Sequence, residues 1–277
     1  MGILQRVKTC WIAAICVTAL LGLVVLNGCE SDEMRSAKES YTSEMQRIES
    51  KVDELEAEIA KAETLAATEE VPLDADTRVA LEDAISTAKA EKDIELPEMP
   101  SRIEGINAAI TELKEVDLAG CLDALSSKEA AMSESIEKMK LVTNPAESFV
   151  LERLQGVDGI AEMAAVTEDN DPNGKLGKAG GYTSAVFFAS PMVDQAAVSG
   201  EGVIGKGTDG GGCVEVYGTV EDAENRNAYL AAFDGGFLSS GSHEVVGTVV
   251  VRTSDKLAAS QQKGLEANII AALTALS

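Results

Sequence analysis

Tyr41, Met45, Ile48, Val52, Leu55, Ile59 and Ala62 are spaced 4, 3, 4, 3, 4, 3 along the chain. This seam constrains the fold more than any other feature. Glu, Lys, Arg and Ser fill the positions between. A helix gathers the seam on one side, whereas the period-2 burial of a strand would drive Glu into a core. The pattern breaks at TEEVPLDADT, around Pro72, and resumes in TRVALEDAISTAKAEK with Leu81, Ile85 and Ala88 on one face. It breaks again at ELPEMP. A third helix is expected from Arg102 to about Val116, with Ile103, Ile106, Ile110 and Leu113 as its stripe. A fourth starts near Leu118, carries Leu122, Leu125, Met132, Ile136 and Met139, and ends before Asn144-Pro145. Breaks this short return each helix onto its predecessor, so residues 41–142 read as an antiparallel helical bundle. The alternative is a coiled coil formed by the first helix, although about three heptads give only a marginal seam alone.

After Pro145 the texture changes. Gly becomes frequent and β-branched runs appear. SFVLERLQGV reads as a short helix with Phe149, Leu151 and Leu154 towards a core. IAEMAAVTED and YTSAVFFAS read as strands, and CVEVYGT alternates Val214 and Val216 against Glu215 and Tyr217, as a half-buried strand should. Phe187 and Phe188 then face opposite sides, which would leave one of them exposed. Thr219 opens a helix over VEDAENRNAYLAAF in a Thr-x-x-Asp variant of the capping box. EVVGTVVVRTS reads as one long central strand. The last helix turns Leu265, Ile269, Ile270 and Leu273 inward. The whole is therefore α+β: the N-terminal bundle or coiled coil, then an α+β domain over 146–277. Its expected core is a mainly antiparallel, four-stranded sheet with helices on one face.

The N-terminus specifies an address. MGILQRVK carries Arg6 and Lys8 and no acid, and an apolar run extends from Trp11 to Leu26. A basic start followed by an apolar segment is the form of a secretory signal. The segment approaches the ~20 apolar residues that span a bilayer, so an uncleaved anchor is the alternative. Leu26-Asn27-Gly28-Cys29 resembles the bacterial lipobox, in which the Cys is acylated and becomes the new N-terminus. The expected organisation is thus a signal peptide over 1–28, lipidation at Cys29, a polar tether over 29–40, and the two folded regions. Each buried CH₂ contributes about 0.8 kcal/mol, so acyl chains on Cys29 would hold the body at a membrane.

The chain has 47 acidic and 23 basic residues, a net charge of −24. Such an excess argues against nucleic acid, which is bound by Lys and Arg that displace counterions. It also repels an anionic membrane surface. It attracts divalent cations, so calcium is the one cofactor worth testing. Removing 1–28 takes away Cys10 and Cys16. Cys121 and Cys213 then remain besides Cys29, in different domains, and read as two thiols rather than a bridge; no CxxC or metal-type Cys/His spacing occurs.

Three stretches invite chemistry. In TEDNDPNG, Asp169, Asp171 and Asn173 alternate and Gly174 follows, like the start of an EF-hand loop. The twelfth position is Gly180, which cannot ligate, so a site would need Glu168, Asp194 or Asp209 from elsewhere. The competing reading is a polar turn, because Asp, Asn, Pro and Gly all form turns. GKGTDGGGC lacks the order of a phosphate loop and precedes a strand, so its glycines read as a flexible loop or tight turn. His243, the one His, reads as a surface-turn residue; Ser239, Ser240 and Ser242 are near, but no G-x-S-x-G accompanies them. No catalytic residue is assigned.

AAVTEDNDPNGKLGKAGGYTSAVFF, GTDGGGCVEVYGTVEDAENRNAYLAAFD and SGSHEVVGTVVVRTSDKLAASQ together resemble the C-terminal domain of EbhA-like lipoproteins of Gram-positive bacteria. The resemblance runs from about Ser148 to the end. The helical half is similar, more weakly, to the three-helix repeats of giant extracellular-matrix-binding surface proteins. The resemblance implies a Gram-positive cell, with Cys29 anchored in the outer leaflet of the plasma membrane. It carries no activity. The expected function is a non-enzymatic binding, adhesion or scaffold lipoprotein that meets an envelope or extracellular protein. An envelope enzyme, or an enzyme's accessory subunit, is the alternative.

Overall fold

The computed structural model describes residues 31–235 and 241–276. Residues 1–30, which hold the expected signal peptide and Cys29, lie outside that range, as do Ser239 and Ser240. Four helices come first: α1 (Asp32–Ala66), α2 (Asp76–Lys92), α3 (Ile103–Glu115) and α4 (Ala119–Leu141). Then follow α5 (Glu147–Leu154), β1 (Glu162–Ala165), β2 (Ser184–Ala189), α6 (Gly202–Lys206), β3 (Gly211–Val216), α7 (Val220–Ala231), β4 (His243–Val246), β5 (Val249–Thr253) and α8 (Ala259–Thr274). A 3-10 turn over Gly207–Gly210 joins α6 to β3. Among the described residues no helix is long and apolar enough to cross a membrane.

The seam of α1 is buried within its own chain. Its N-terminal half (Ala37, Tyr41, Ile48) packs on Ile106, Ala109, Ile110 and Leu113 of α3. Its C-terminal half (Leu55, Ile59, Ala62) packs on Leu81 and Ile85 of α2 and Leu125, Met132 and Ile136 of α4. At 35 residues, α1 is a spine about 52 Å long that serves two packing groups in succession. It also starts earlier than composition suggests. The expected tether is helical from Asp32, because Ser31 accepts a hydrogen bond from the Met34 N–H and Asp32 and Glu33 complement the positive helix end. Arg78 closes the other end, donating to the carbonyls of Ala66, Thr68 and Glu70.

The sheet has five strands, not four, in the order β1-β2-β3-β5-β4, all antiparallel. EVVGTVVVRTS is a hairpin rather than one strand: Val246 pairs with Val249, and Gly247-Thr248 is the two-residue loop, with Gly247 at φ 58°. Helices cover both faces of the sheet, not one. On the first face, Val186, Phe188, Val214, Val216, Val249 and Val251 meet α5 and α8. On the second, Ala185, Phe187, Cys213, Tyr217 and Val250 meet Ala223 and Leu230 of α7 and Val203 and Ile204 of α6. Phe187 is therefore 2% exposed and Phe188 0%, so neither reaches solvent. In α5 it is Val150, with Leu154, that is fully buried, while Phe149 and Leu151 are only partly covered.

The bundle and the sheet are joined at the hairpin loop. Val142, just past α4, lies in the core of the first face. Its carbonyl accepts the Thr248 N–H at 2.9 Å, and the Asn144 N–H donates to the Thr248 hydroxyl at 2.6 Å. A Cβ on Gly247 would stand 2.5 Å from the Val142 oxygen, at a positive φ that side chains resist. Gly247→Ala is expected to lower stability by about 1–3 kcal/mol, read as a reduced midpoint in urea. An unchanged midpoint would show that the joint is looser than these distances.

Candidate functional site

The second face of the sheet holds a buried charge cluster beneath a cleft. Glu215 sits in the middle of β3 and is 0% exposed. Its carboxylate accepts from two arginines and a tyrosine. Arg226 of α7 grips it with both a Nε bond (2.8 Å to Oε2) and a Nη2 bond (3.0 Å to Oε1). Arg252 of β5 donates from Nη1 to Oε1 at 2.8 Å, and the Tyr217 hydroxyl donates to Oε2 at 2.8 Å. Burial alone would raise the pKa of this carboxyl. The two guanidiniums outweigh it and hold Glu215 below the ordinary carboxylate range. Burial, reinforced by Glu215, pushes the Cys213 thiol up to about 12, so it stays neutral beside the cluster. The cluster is a carboxylate with two guanidiniums, a net single positive charge.

Local sequence explains the placement. Thr219 caps α7, its hydroxyl accepting the Asp222 N–H at 3.1 Å. Ala223, Arg226 and Leu230 then fall on one helical face, turned to the sheet. Arg252 is opposite Cys213 in the β3–β5 register, one diagonal step from Glu215. Arg226 also lies 5.6 Å from the Tyr229 ring centre, and Tyr229 stacks edge-on to Phe233 at 5.1 Å. Tyr229 is 58% exposed.

TEDNDPNG forms the opposite wall. Asp171 accepts at Oδ2 from the N–H groups of Lys175 (2.6 Å) and Leu176 (2.8 Å). At Oδ1 it accepts from the Asn173 N–H (3.0 Å) and the Tyr182 hydroxyl. Partial burial disfavours its charge, but these four donors prevail and hold its pKa down to about 2. Two donors on each oxygen occupy the lone pairs a cation needs. Asp169 is exposed, and Asn173 lines the cleft. Asp194 caps its own turn through Ala196, and Asp209 lies 3.9 Å from Lys256. Among the described residues no group of three or more His, Cys, Asp or Glu side chains converges on a metal position. The geometry assigns Asp171 to the organisation of a turn. Tyr182 carries that order inward, since it meets Tyr217 edge-on at 6.5 Å.

His243 is not a surface-turn residue. It begins β4 with its side chain 7% exposed, Nδ1 at 2.6 Å from Asn227 Oδ1 and Nε2 at 3.3 Å from Asp234 Oδ1. Both ring nitrogens are engaged by oxygens other than a serine's. Ser242 donates instead to Glu266 Oε2 at 2.6 Å. Of the two readings of GKGTDGGGC, the structure has the turn: the stretch forms the end of α6, the 3-10 turn and the start of β3. A Cβ on Gly212 would fall 2.3 Å from the Arg252 oxygen, so close strand approach explains that glycine. Cys121, half-buried on α4, and Cys213, buried on β3, are unbridged thiols.

The cleft consists of two adjoining cavities of about 360 and 450 Å³, which share Asn173, Arg226 and Tyr229. Sequence reasoning assigned Glu215 to a solvent face and gave Arg226, Arg252 and Tyr229 no role. One signal was present: Arg252 interrupts the apolar run VVVRTS, and a charge in a buried strand demands a partner. Comparison of the chain with protein-family models, curated proteins and solved structures finds no match.

Millimolar calcium added to EDTA-treated protein is expected to leave the melting temperature unchanged. A rise of several degrees that disappears in Asp171→Asn would restore the calcium loop. The depressed pKa of Asp171 adds stability that is present above the unfolded value, about 4, and is lost as pH falls towards about 2. Asp171→Asn should flatten that acid limb in melts taken between these values; an unaltered slope would place the acid sensitivity elsewhere.

Proposed function

We propose that this chain is a lipid-anchored, extracytoplasmic binding protein of the cell envelope, without enzymatic activity. In this reading Cys29 carries the lipid, and the acidic bundle serves as stalk or docking surface. The cleft between α7 and the loop at 171–176 receives the ligand or partner. The anchor rests on the basic start, the apolar run and the Leu-Asn-Gly-Cys sequence. The binding role rests on one observation. A guanidinium, Arg226, is fixed by a buried carboxylate at the floor of an open cleft, beside an exposed aromatic ring. Such preorganised polar groups with an apolar wall are the make-up of a recognition site. His243, the residue that a Ser-His-Asp hydrolase would use as its base, has both nitrogens engaged within the fold.

The anchor is tested by Cys29→Ala in cells fed labelled palmitate. Loss of label and release of the protein from the membrane fraction are expected. Label-free wild-type protein, or a variant that stays fully membrane-bound, would favour an uncleaved apolar anchor instead.

A further inference from the structure

The cleft gathers cations on a molecule that is otherwise strongly acidic. The chain carries a net charge of −24, yet Arg226, Arg252 and Lys175 line the two cavities against Asp222 as the lining carboxylate. Asp222 is itself engaged, accepting the Thr219 hydroxyl at 2.8 Å. Glu215 beneath the floor, Asp222 and the Asp171 carboxylate of the opposite wall balance the three cations, so the local field in this partly desolvated pocket is set by where each charge points rather than by a net excess. There the field of a cation is screened less than at the surface.

The orientation of Arg226 adds direction to that charge. Nε and Nη2 are spent on Glu215, which fixes the plane of the guanidinium. Among the described residues Nη1 makes no hydrogen bond, and the side chain lines both cavities. Tyr229 and Phe233 then provide an aromatic wall beside the free edge of the cation.

Resting on the reading of the cleft as a binding surface, we infer that its ligand is a small organic anion. Its acid group, a carboxylate or phosphate, meets Nη1 of Arg226, and its apolar or aromatic body lies on Tyr229 and Phe233. The size agrees, since small-molecule sites occupy roughly 300–1,000 Å³. The surrounding acidic surface restricts the class further. Nucleic acid and anionic bilayers meet repulsion over their whole area, whereas a single acid group of molecular size meets chiefly the Arg226 guanidinium.

The test is calorimetric titration of the full-length protein in neutral detergent with benzoate, phenyl phosphate and uncharged benzyl alcohol. Arg226→Gln and Tyr229→Ala are measured in parallel. Tyr229 is largely exposed, so its variant keeps the fold even if Arg226→Gln does not. At least one of the two anions is expected to bind about tenfold more tightly than benzyl alcohol, as one charge-assisted hydrogen bond implies. The same anion should bind about tenfold more weakly to either folded variant, and more weakly with added salt. Preference for benzoate or for phenyl phosphate identifies the acid group. Equal binding of all three probes would overturn the anion inference and leave the cleft as a binding site. Heat from none of them would overturn both.

Discussion

A carboxylate with no solvent access stands at the centre of this structure. Glu215 could not remain charged there alone, because transfer of an unpaired carboxylate out of water costs many kcal/mol. Arg226 and Arg252 reach it from a helix and from the neighbouring strand, and Tyr217 supplies a further donor. The cluster therefore fixes three elements at once: β3 beneath, β5 beside and α7 above. A buried ion pair is weak evidence for net stability, since apolar residues of equal volume do as well. Its sharper consequence is positional. An arginine held on two of its nitrogens is fixed in orientation, and its side chain lines both cavities of the cleft.

The rest of the fold supports this arrangement from two sides. Below the sheet, α5 and α8 cover the first face with an apolar core, and the Glu215 cluster lies on the other face. Across the cleft, Asp171 ties the loop with four donors and links it through Tyr182 to Tyr217, the same residue that donates to Glu215. The two walls thus share one set of contacts. At the far end of the sheet, the Gly247-Thr248 loop docks on Val142 and so connects the sheet to α4. The long α1, packed against α3 and then against α2 and α4, makes the bundle an extended support rather than a compact domain of equal helices.

The helical half was legible because its period is long and uninterrupted: a 4-3 spacing of apolar residues admits only one regular structure. The α+β class of the second half was legible from β-branched runs set between helical stretches. The details failed where one short signal had two meanings. Val-Glu-Val-Tyr alternation looks half-exposed, but a charge paired within the fold occupies a buried position as readily as an apolar group. Gly247 inside a β-rich run looked like part of one strand, although a positive-φ glycine is also how a two-residue hairpin turns. Phe187 looked exposed only on the assumption that one sheet face was bare. Asp171 fitted the third position of a calcium loop because such loops and Asx turns both use a short carboxylate to gather backbone N–H groups. The cleft itself was not legible. Arg226, Glu215 and Arg252 are spread over 38 positions, and only the sheet register and the cap of α7 bring them together.

An ionised Glu215 holds both arginines in place. Glu215→Gln keeps the size and removes the charge. Equilibrium unfolding in urea compares it most directly with the wild type. A loss of about 3–5 kcal/mol is expected, the cost of leaving buried charges without their counter-ion. A loss under about 1 kcal/mol, within the range of an ordinary surface substitution, would contradict it.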